Sequence, residues 1–198
     1  LCLSIFDWAK FRTRKGAVKL HTVLDYDGCL PVFVQVTDGK THEVNVIDQF
    51  DFPKGSVAVF DRGYIDFKWL KNLDSKGVFF VTRAKSNMVH TMKTMYLENE
   101  AADGVRMDAD IELWVEKSKK SYPKLLRLIR YWDAENEREL VFLTNNRSWT
   151  AQTVADIYKE RWNIEVFFKQ IKQNLKIKSF IGTSPNAVMI QVWTAMLS

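Results

Sequence analysis

The sequence predicts a mixed α/β fold in which the core is interrupted by a β-rich insertion, and three observations predict it. Two apolar runs of strand length, "GSVAVF" and "VFFVTRAK", enclose a stretch of helical spacing, "IDFKWLKNLDSKG". From about Ser86 to Asn146 short segments ("DIELWVEK", "KLLRLIRYW", "RELVFLTN") alternate with polar, charged turns. After Thr150 comes the longest helical pattern in the chain, "TAQTVADIYKERWNIEVFFKQIKQNLKI". Strand, helix and strand, then a β-rich piece, then a long amphipathic helix make a layered α/β core with an inserted subdomain.

The elements follow in chain order. "LCLSIF" reads as a strand, and "AKFRTRKGAVK" carries five basic residues and no acid between Lys10 and Lys19. "VKLHTVLD" and "LPVFVQVTD" are two strands joined at Asp27-Gly28, a dipeptide with hairpin-turn chemistry. "THEVNVIDQF" predicts a short helix. "GSVAVF" is unbroken in its apolar character, as expected of a strand buried on both faces. It runs straight into "DRGY". Phe67, Leu70 and Leu73 give the next segment a helical face, and Gly77 is placed to end that helix. Thr150 or Thr153 caps the long helix. The expected domains are therefore a core of 1–85 with 147–198 and an insertion of 86–146.

The 198 residues are enough for one domain with a real core. Hydrophobic residues make up 46% and charged residues 27%, inside the globular range, and the net charge of +5 is a mild basic excess that does not by itself select a polyanionic partner. Two cysteines, Cys2 and Cys29, support neither a disulfide framework nor a zinc ribbon, and are expected to be reduced, buried thiols of an intracellular protein. No apolar run reaches the roughly 20 residues that span a bilayer, and there is no signal peptide. The strand-like start and the apolar finish, "VMIQVWTAMLS", give both ends the look of a piece cut from a longer protein.

Chemistry concentrates at two places. On a continuous helix Tyr158, Arg161, Glu165 and Lys172 fall within an arc of about 60°. They border the apolar stripe of Ile157, Ile164, Phe167, Phe168, Ile171 and Leu175, with Glu160 the exception inside that stripe. Either this line is a solvated edge with an Arg161–Glu165 pair worth a few tenths of a kcal/mol, or it is a site where a carboxylate holds a metal while Arg, Lys and a phenol hold phosphates. Trp162 borders the line, as packing or as a shield. The second place is Asp61, directly after a strand, with Gly63 permitting a sharp exit. It is either an ordinary Asp-x-Gly turn or a ligand projecting from the sheet edge where α/β folds gather substrates. Brought within a few ångströms of each other, Asp61 and Glu165 would suit a hard cation such as Mg²⁺. His21 reads as a strand residue and His42 and His90 as surface groups. The histidines lack zinc spacing, and no HExxH, phosphate loop or GxSxG elbow is present.

The spacing Tyr, two residues, Arg, three residues, Glu, six residues, Lys resembles the signature of the DDE transposases of bacterial insertion sequences, specifically the IS-four family. The likeness extends to "LCLSIFDWAKFRTRKGAVKLHT", "DRGYIDF", "FFVTRAKSN", "YPKLLRLIRY", "LVFLTNN" and "RWNIEVFFKQIKQNLKIKSFIGTS". The resemblance implies a ribonuclease-H-like mixed sheet flanked by helices, with a β-rich insertion before the last long helix. It implies catalytic, metal-binding roles for Asp61 as second acid and Glu165 as third, with two Mg²⁺ (or Mn²⁺) ions in the complete site. It gives Tyr158, Arg161 and Lys172, and also Arg83 and Lys85, to DNA. The partners implied are transposon-end DNA, target DNA and a second copy in a synaptic homodimer, in the bacterial cytoplasm and on the nucleoid when bound. The family's first Asp is expected upstream of Leu1, so this piece alone is expected to be inactive. Relatives that stack a flipped base on a Trp carry it in a strand that here reads "RELVFLTNN", without Trp. The alternative is a non-catalytic DNA-binding remnant of a transposase.

Overall fold

The computed structural model of the chain describes residues 2–3, 10–12, 15–27, 30–97, 104–174, 182 and 184–197; the side chains of 2–18, 172, 174 and 195–197 are outside the description. The chain divides into two units, residues 1–50 with 162–198, and residues 51–161.

In the first unit, β1 (Cys2–Leu3) and β2 (Lys10–Arg12) pair antiparallel with β3 (Lys15–Asp25), which forms a hairpin with β4 (Leu30–Asp38). Both hairpin strands match the sequence reading. Tyr26 and Asp27 form the described part of the turn, while Gly28 and Cys29 lie outside the described residues. The 41–50 segment is not an α-helix but two 3₁₀ turns, Glu43–Asn45 and Ile47–Gln49. Val44 and Val46 are β-branched, and the turns close with Phe50 edge-on to Phe33 at 5.1 Å. Two helices complete the unit, α4 (Trp162–Asn174) and α5 (Pro185–Leu197); the second has no counterpart in the sequence reading.

His21 is buried in β3, and its Nε2 lies 2.9 Å from Thr37 Oγ1 on β4. Burial lowers its pKa from 6.5; Glu43 pulls it back up and Lys19 adds to the lowering. The unfolded chain therefore binds the proton more readily, so His21 costs stability as pH falls below about 6.5. Glu43 adds to the trend lower down. Burial raises its pKa, but its backbone hydrogen bond and Lys19 outweigh that and leave it below 4.5, so its stabilisation is lost on acidification through the carboxylate range. Stability measured by urea unfolding is expected to be flat between about pH 7 and 9 and to decline from 6.5 downward, with His21→Gln removing the part between 6.5 and 5.

The second unit is built on one six-stranded sheet, ordered β5 (Val57–Phe60), β6 (Phe79–Arg83), β10 (Arg138–Thr144), β9 (Leu126–Asp133), β8 (Val105–Leu113), β7 (His90–Leu97). β5 and β6 are parallel, joined by α1 (Phe67–Ser75); the remaining pairs are antiparallel. In α1, Asp66 caps the start by accepting from the Trp69 N–H, and Leu70 and Leu73 are buried. Gly77 ends the helix as read, at φ +73°, with its N–H on the Asp74 carbonyl and that of Val78 on Leu73. This pair of bonds satisfies the last carbonyls of the helix. β5 is covered on both faces over Ala58–Phe60, with Ala58 buried and Val59 packed on the core cluster, as the apolar run predicts. It is the border strand of its sheet among the described strands, and Val57 at its start is exposed. At the opposite border, β7 shifts register against β8 twice, between Met92 and Thr94 and between Met95 and Leu97. The short α2 (Glu116–Ser121) and α3 (Ala151–Lys159) complete the unit.

The long helical pattern is not one helix. α3 starts at a Thr150 cap, whose hydroxyl accepts from the Thr153 N–H at 3.0 Å, and it ends at Glu160. The Arg161 N–H turns back to the Tyr158 carbonyl in a tight last turn, and α4 begins at Trp162. Neither Gly nor Pro marks the break.

Candidate functional site

The parallel register Phe60↔Thr82 brings the carboxyl ends of β5 and β6 level, so Asp61 follows one strand beside Arg83 at the end of the other. This is the edge at which open α/β sheets collect ligands. The position of Asp61 is held from several directions. Buried Thr82 donates its hydroxyl to the Phe60 carbonyl at 2.9 Å, and the Phe60 ring meets Trp69 edge-on at 4.9 Å. Asp61 Oδ1 accepts the Gly63 N–H at 3.0 Å and so caps a 3₁₀ turn over Arg62–Tyr64. The turn is right-handed: Gly63 is not among the residues of positive φ, so its contribution is an N–H beneath the carboxylate rather than a left-handed exit. Lys85 donates to the Ile65 carbonyl at 3.0 Å, tying the residues after β6 to the end of that turn. The Asp61 side chain remains exposed.

Tyr158 reaches this edge from α3. Its ring is buried against Phe142, with centroids 5.1 Å apart, and the Arg161 guanidinium carbon lies 5.6 Å from its centroid. Burial is the main cause that raises the Tyr158 pKa; Arg161 pulls it down, Asp61 pushes it up and Arg83 pulls it down. One phenol thus senses two guanidinium groups and a carboxylate, so Asp61, Arg83 and Arg161 all act electrostatically on Tyr158. A carboxylate and two fork-shaped cations beside a phenol held neutral can bind an oxyanion close to a hard cation.

Glu165 is exposed in the first turn of α4, and Lys172 follows seven residues later in the same helix, with its side chain outside the described residues. Both belong to the first unit, whereas Asp61, Arg83, Lys85, Tyr158 and Arg161 belong to the second. The single arc computed for one continuous helix is corrected accordingly: Tyr158 and Arg161 share α3 and its last turn, Glu165 and Lys172 share α4. Trp162 is exposed at the start of α4. Asp61 offers oxygen-donor chemistry suited to Mg²⁺, yet among the described residues no three His, Cys, Asp or Glu side chains form a metal-holding group. Sequence reasoning overlooked Thr82 and Phe142, which support this edge, and Arg127, which holds the loop at the amino end of α3; the signal for Arg127 was a charge inside the apolar strand "LLRLIRYW".

Residues 3–198 match the family described as "Transposase DDE domain". The chain belongs to the DDE transposase domain family. The domain is 34% identical over 194 residues to the protein described as "Putative transposase y4zB" from Sinorhizobium fredii, covering 96% of this chain and 54% of that protein. It is 31% identical over 192 residues to the "Probable transposase for insertion sequence element IS5377" of Geobacillus stearothermophilus, with 96% and 50% covered. A third relative, "Putative transposase for insertion sequence element IS4SA" of Synechocystis, is 24% identical over 191 residues, with 91% and 51% covered. The chain spans about half the length of these curated relatives. Its mixed sheet flanked by helices agrees with the ribonuclease-H-like fold of the DDE transposase domain, a family that in general uses divalent metal ions. Among the described residues no helix is long and apolar enough to cross a membrane.

Proposed function

We propose that the full-length protein is a cut-and-paste DNA transposase of the IS-four type, with Asp61 and Glu165 as the second and third acids of its catalytic triad. The observation that carries this reading is the placement of Asp61 and Arg83 at the level ends of two parallel strands, with the Arg161 guanidinium over the Tyr158 ring and all three charges felt by that phenol. The substrate is a phosphodiester at a transposon end, hydrolysed first and then joined to target DNA by its 3′ hydroxyl. Two Mg²⁺ (or Mn²⁺) ions, when bound, supply Lewis-acid stabilisation of the attacking and leaving oxygens. Asp61 and Glu165 would hold them.

The chain's own groups do the rest. Arg83 and Arg161 donate to the non-bridging oxygens of the phosphate, where charge builds up in an in-line displacement. Tyr158, kept protonated by burial, donates a neutral hydrogen bond there. Lys172 extends the cationic line along α4, and Lys85 serves DNA binding by fixing the turn after Asp61. On this reading 1–85 and 147–198 are the catalytic core and 86–146 the insertion, a division by role that differs from the two compact units. The family's first Asp has no match within these residues, so the 198-residue piece alone does not cut. A homodimer assembles on paired ends, in the cytoplasm and on the nucleoid when bound to DNA.

The test is end-labelled duplex carrying the element's terminal repeat, incubated with the full-length protein and Mg²⁺. A nick at the repeat boundary, followed by a hairpin product, is expected, with a scrambled duplex left intact. Binding without cutting would make the protein a non-catalytic remnant. Hydrolysis of RNA–DNA hybrids without preference for the repeat would make it a ribonuclease-like hydrolase.

A further inference from the structure

We propose that Arg127 is a positioning residue for the phosphate-binding end of α3, acting through the loop that begins the helix; this rests on the function assigned above to Arg161. Arg127 lies on β9 and is 6% exposed, so it does not meet DNA itself. Its Nε and Nη2 donate to the two carboxylate oxygens of buried Asp108 on β8, at 2.8 and 2.6 Å. Its remaining nitrogen, Nη1, donates to the Trp149 carbonyl at 2.6 Å and lies 3.4 Å from that of Asn146. One guanidinium therefore ties two strands of the sheet to the residue immediately before the Thr150 cap.

Other contacts converge on the same loop. Buried Asn146 accepts the N–H groups of Ser148 and Trp149 on its Oδ1, at 2.8 and 3.0 Å. Arg147 donates to Asp110, which also accepts the Tyr96 hydroxyl. The face that α3 buries, Val154, Ala155 and Tyr158, rests on Val81, Ile129, Leu140 and Phe142. Such a face fixes which side of the helix turns inward. Tyr158, against Phe142 at 5.1 Å, holds the carboxyl end of the helix, while Val154 and Ala155 are small and restrain its amino end only weakly. The Arg127 fork adds the restraint at the amino end. A nine-residue helix is a rod of about 13 Å, so a slip at Thr150 reappears at Tyr158 and Arg161.

The proposal predicts energetic coupling between a buried residue and a phosphate contact on the far side of the helix. In full-length protein, end-DNA affinity is measured against salt for Arg161→Ala, for the paired substitution Asp108→Leu/Arg127→Met, and for all three changes together. The paired change avoids leaving one buried charge without its partner. Arg127→Lys, which keeps the charge but loses the fork, serves if the paired variant does not fold. All are assayed well below their melting temperatures. Arg161→Ala and the Arg127 variant are each expected to weaken binding about tenfold. Each should also lower the salt slope by about one phosphate contact, and the combination should be no weaker than either alone. Additive losses, or an unchanged slope in the Arg127 variant, would reduce Arg127 to a structural role and overturn the proposal. An Arg161→Ala protein with unchanged affinity and slope would refute instead the phosphate contact assigned to Arg161, and the inference with it.

Discussion

Asp61→Asn in the full-length protein is expected to lower transposon-end cutting by about 10²-fold or more while leaving the melting temperature unchanged. The structural work of the side chain is the hydrogen bond that Oδ1 accepts from the Gly63 N–H, and the amide oxygen of Asn accepts it equally well. What is lost is the charge. Because Asp61 stands among Arg83 and Arg161, removing its charge leaves the phosphate-binding groups more positive, so end-DNA affinity should hold or rise as cutting disappears. A side chain with a purely architectural role would not separate the two readouts. Glu165→Gln should show the same split, with a stability cost of about 0.3–1 kcal/mol from losing an acid in the first turn of α4. Gel assays of nicking beside equilibrium binding decide the matter. Retained cutting in either variant would remove that residue from the triad.

The largest expected effect on stability is at Phe142. Its ring is fully buried, with Tyr131 at 6.3 Å and Tyr158 at 5.1 Å, in the cluster that also contains Val81, Ile129 and Val154. Phe142→Ala is expected to cost about 3–5 kcal/mol, because the sheet on one side and α3 on the other cannot close over the space. Urea unfolding would show this as a lower midpoint with little change in slope. A loss below about 1 kcal/mol would mean that α3 is not seated where the structure puts it. The variant also takes away the surface that holds Tyr158, so its binding loss should exceed that of Arg161→Ala.

Local chemistry was the legible part of this sequence. The hairpin strands, the α1 segment with its terminal Gly77, and β9 and β10 announced themselves through period, turn residues and caps, whereas β7 had no counterpart in the sequence reading and "DIELWVEK" caught only the end of β8. Asp61 could be placed at a strand end because an apolar run stops at it. The break between α3 and α4 could not be read, since "YKERWNIE" offers no helix-breaking residue and keeps its apolar spacing across the interruption. An angular calculation holds only while the helix is continuous, and its failure here followed directly. The 3₁₀ turns at 43–49 and the border position of β5 depend on what packs alongside, which periodicity does not encode. Arg127 was visible as a charge in an apolar strand, but its partner Asp108 lies 19 residues away and reaches it only diagonally across the β8–β9 pairing, in which Arg127 stands opposite Asp110.

The two register shifts in β7 bear on how this protein behaves when concentrated. A straight outer strand offers evenly spaced amide and carbonyl groups on which a neighbouring molecule can continue the sheet. β7 carries exposed Met92, Met95 and Tyr96, the sort of greasy margin that invites such growth. Its register shifts interrupt the row, and Lys93, inside the first of them and paired with Glu112, adds charge there. Straightening that margin would be expected to trade solubility for fibre-like association.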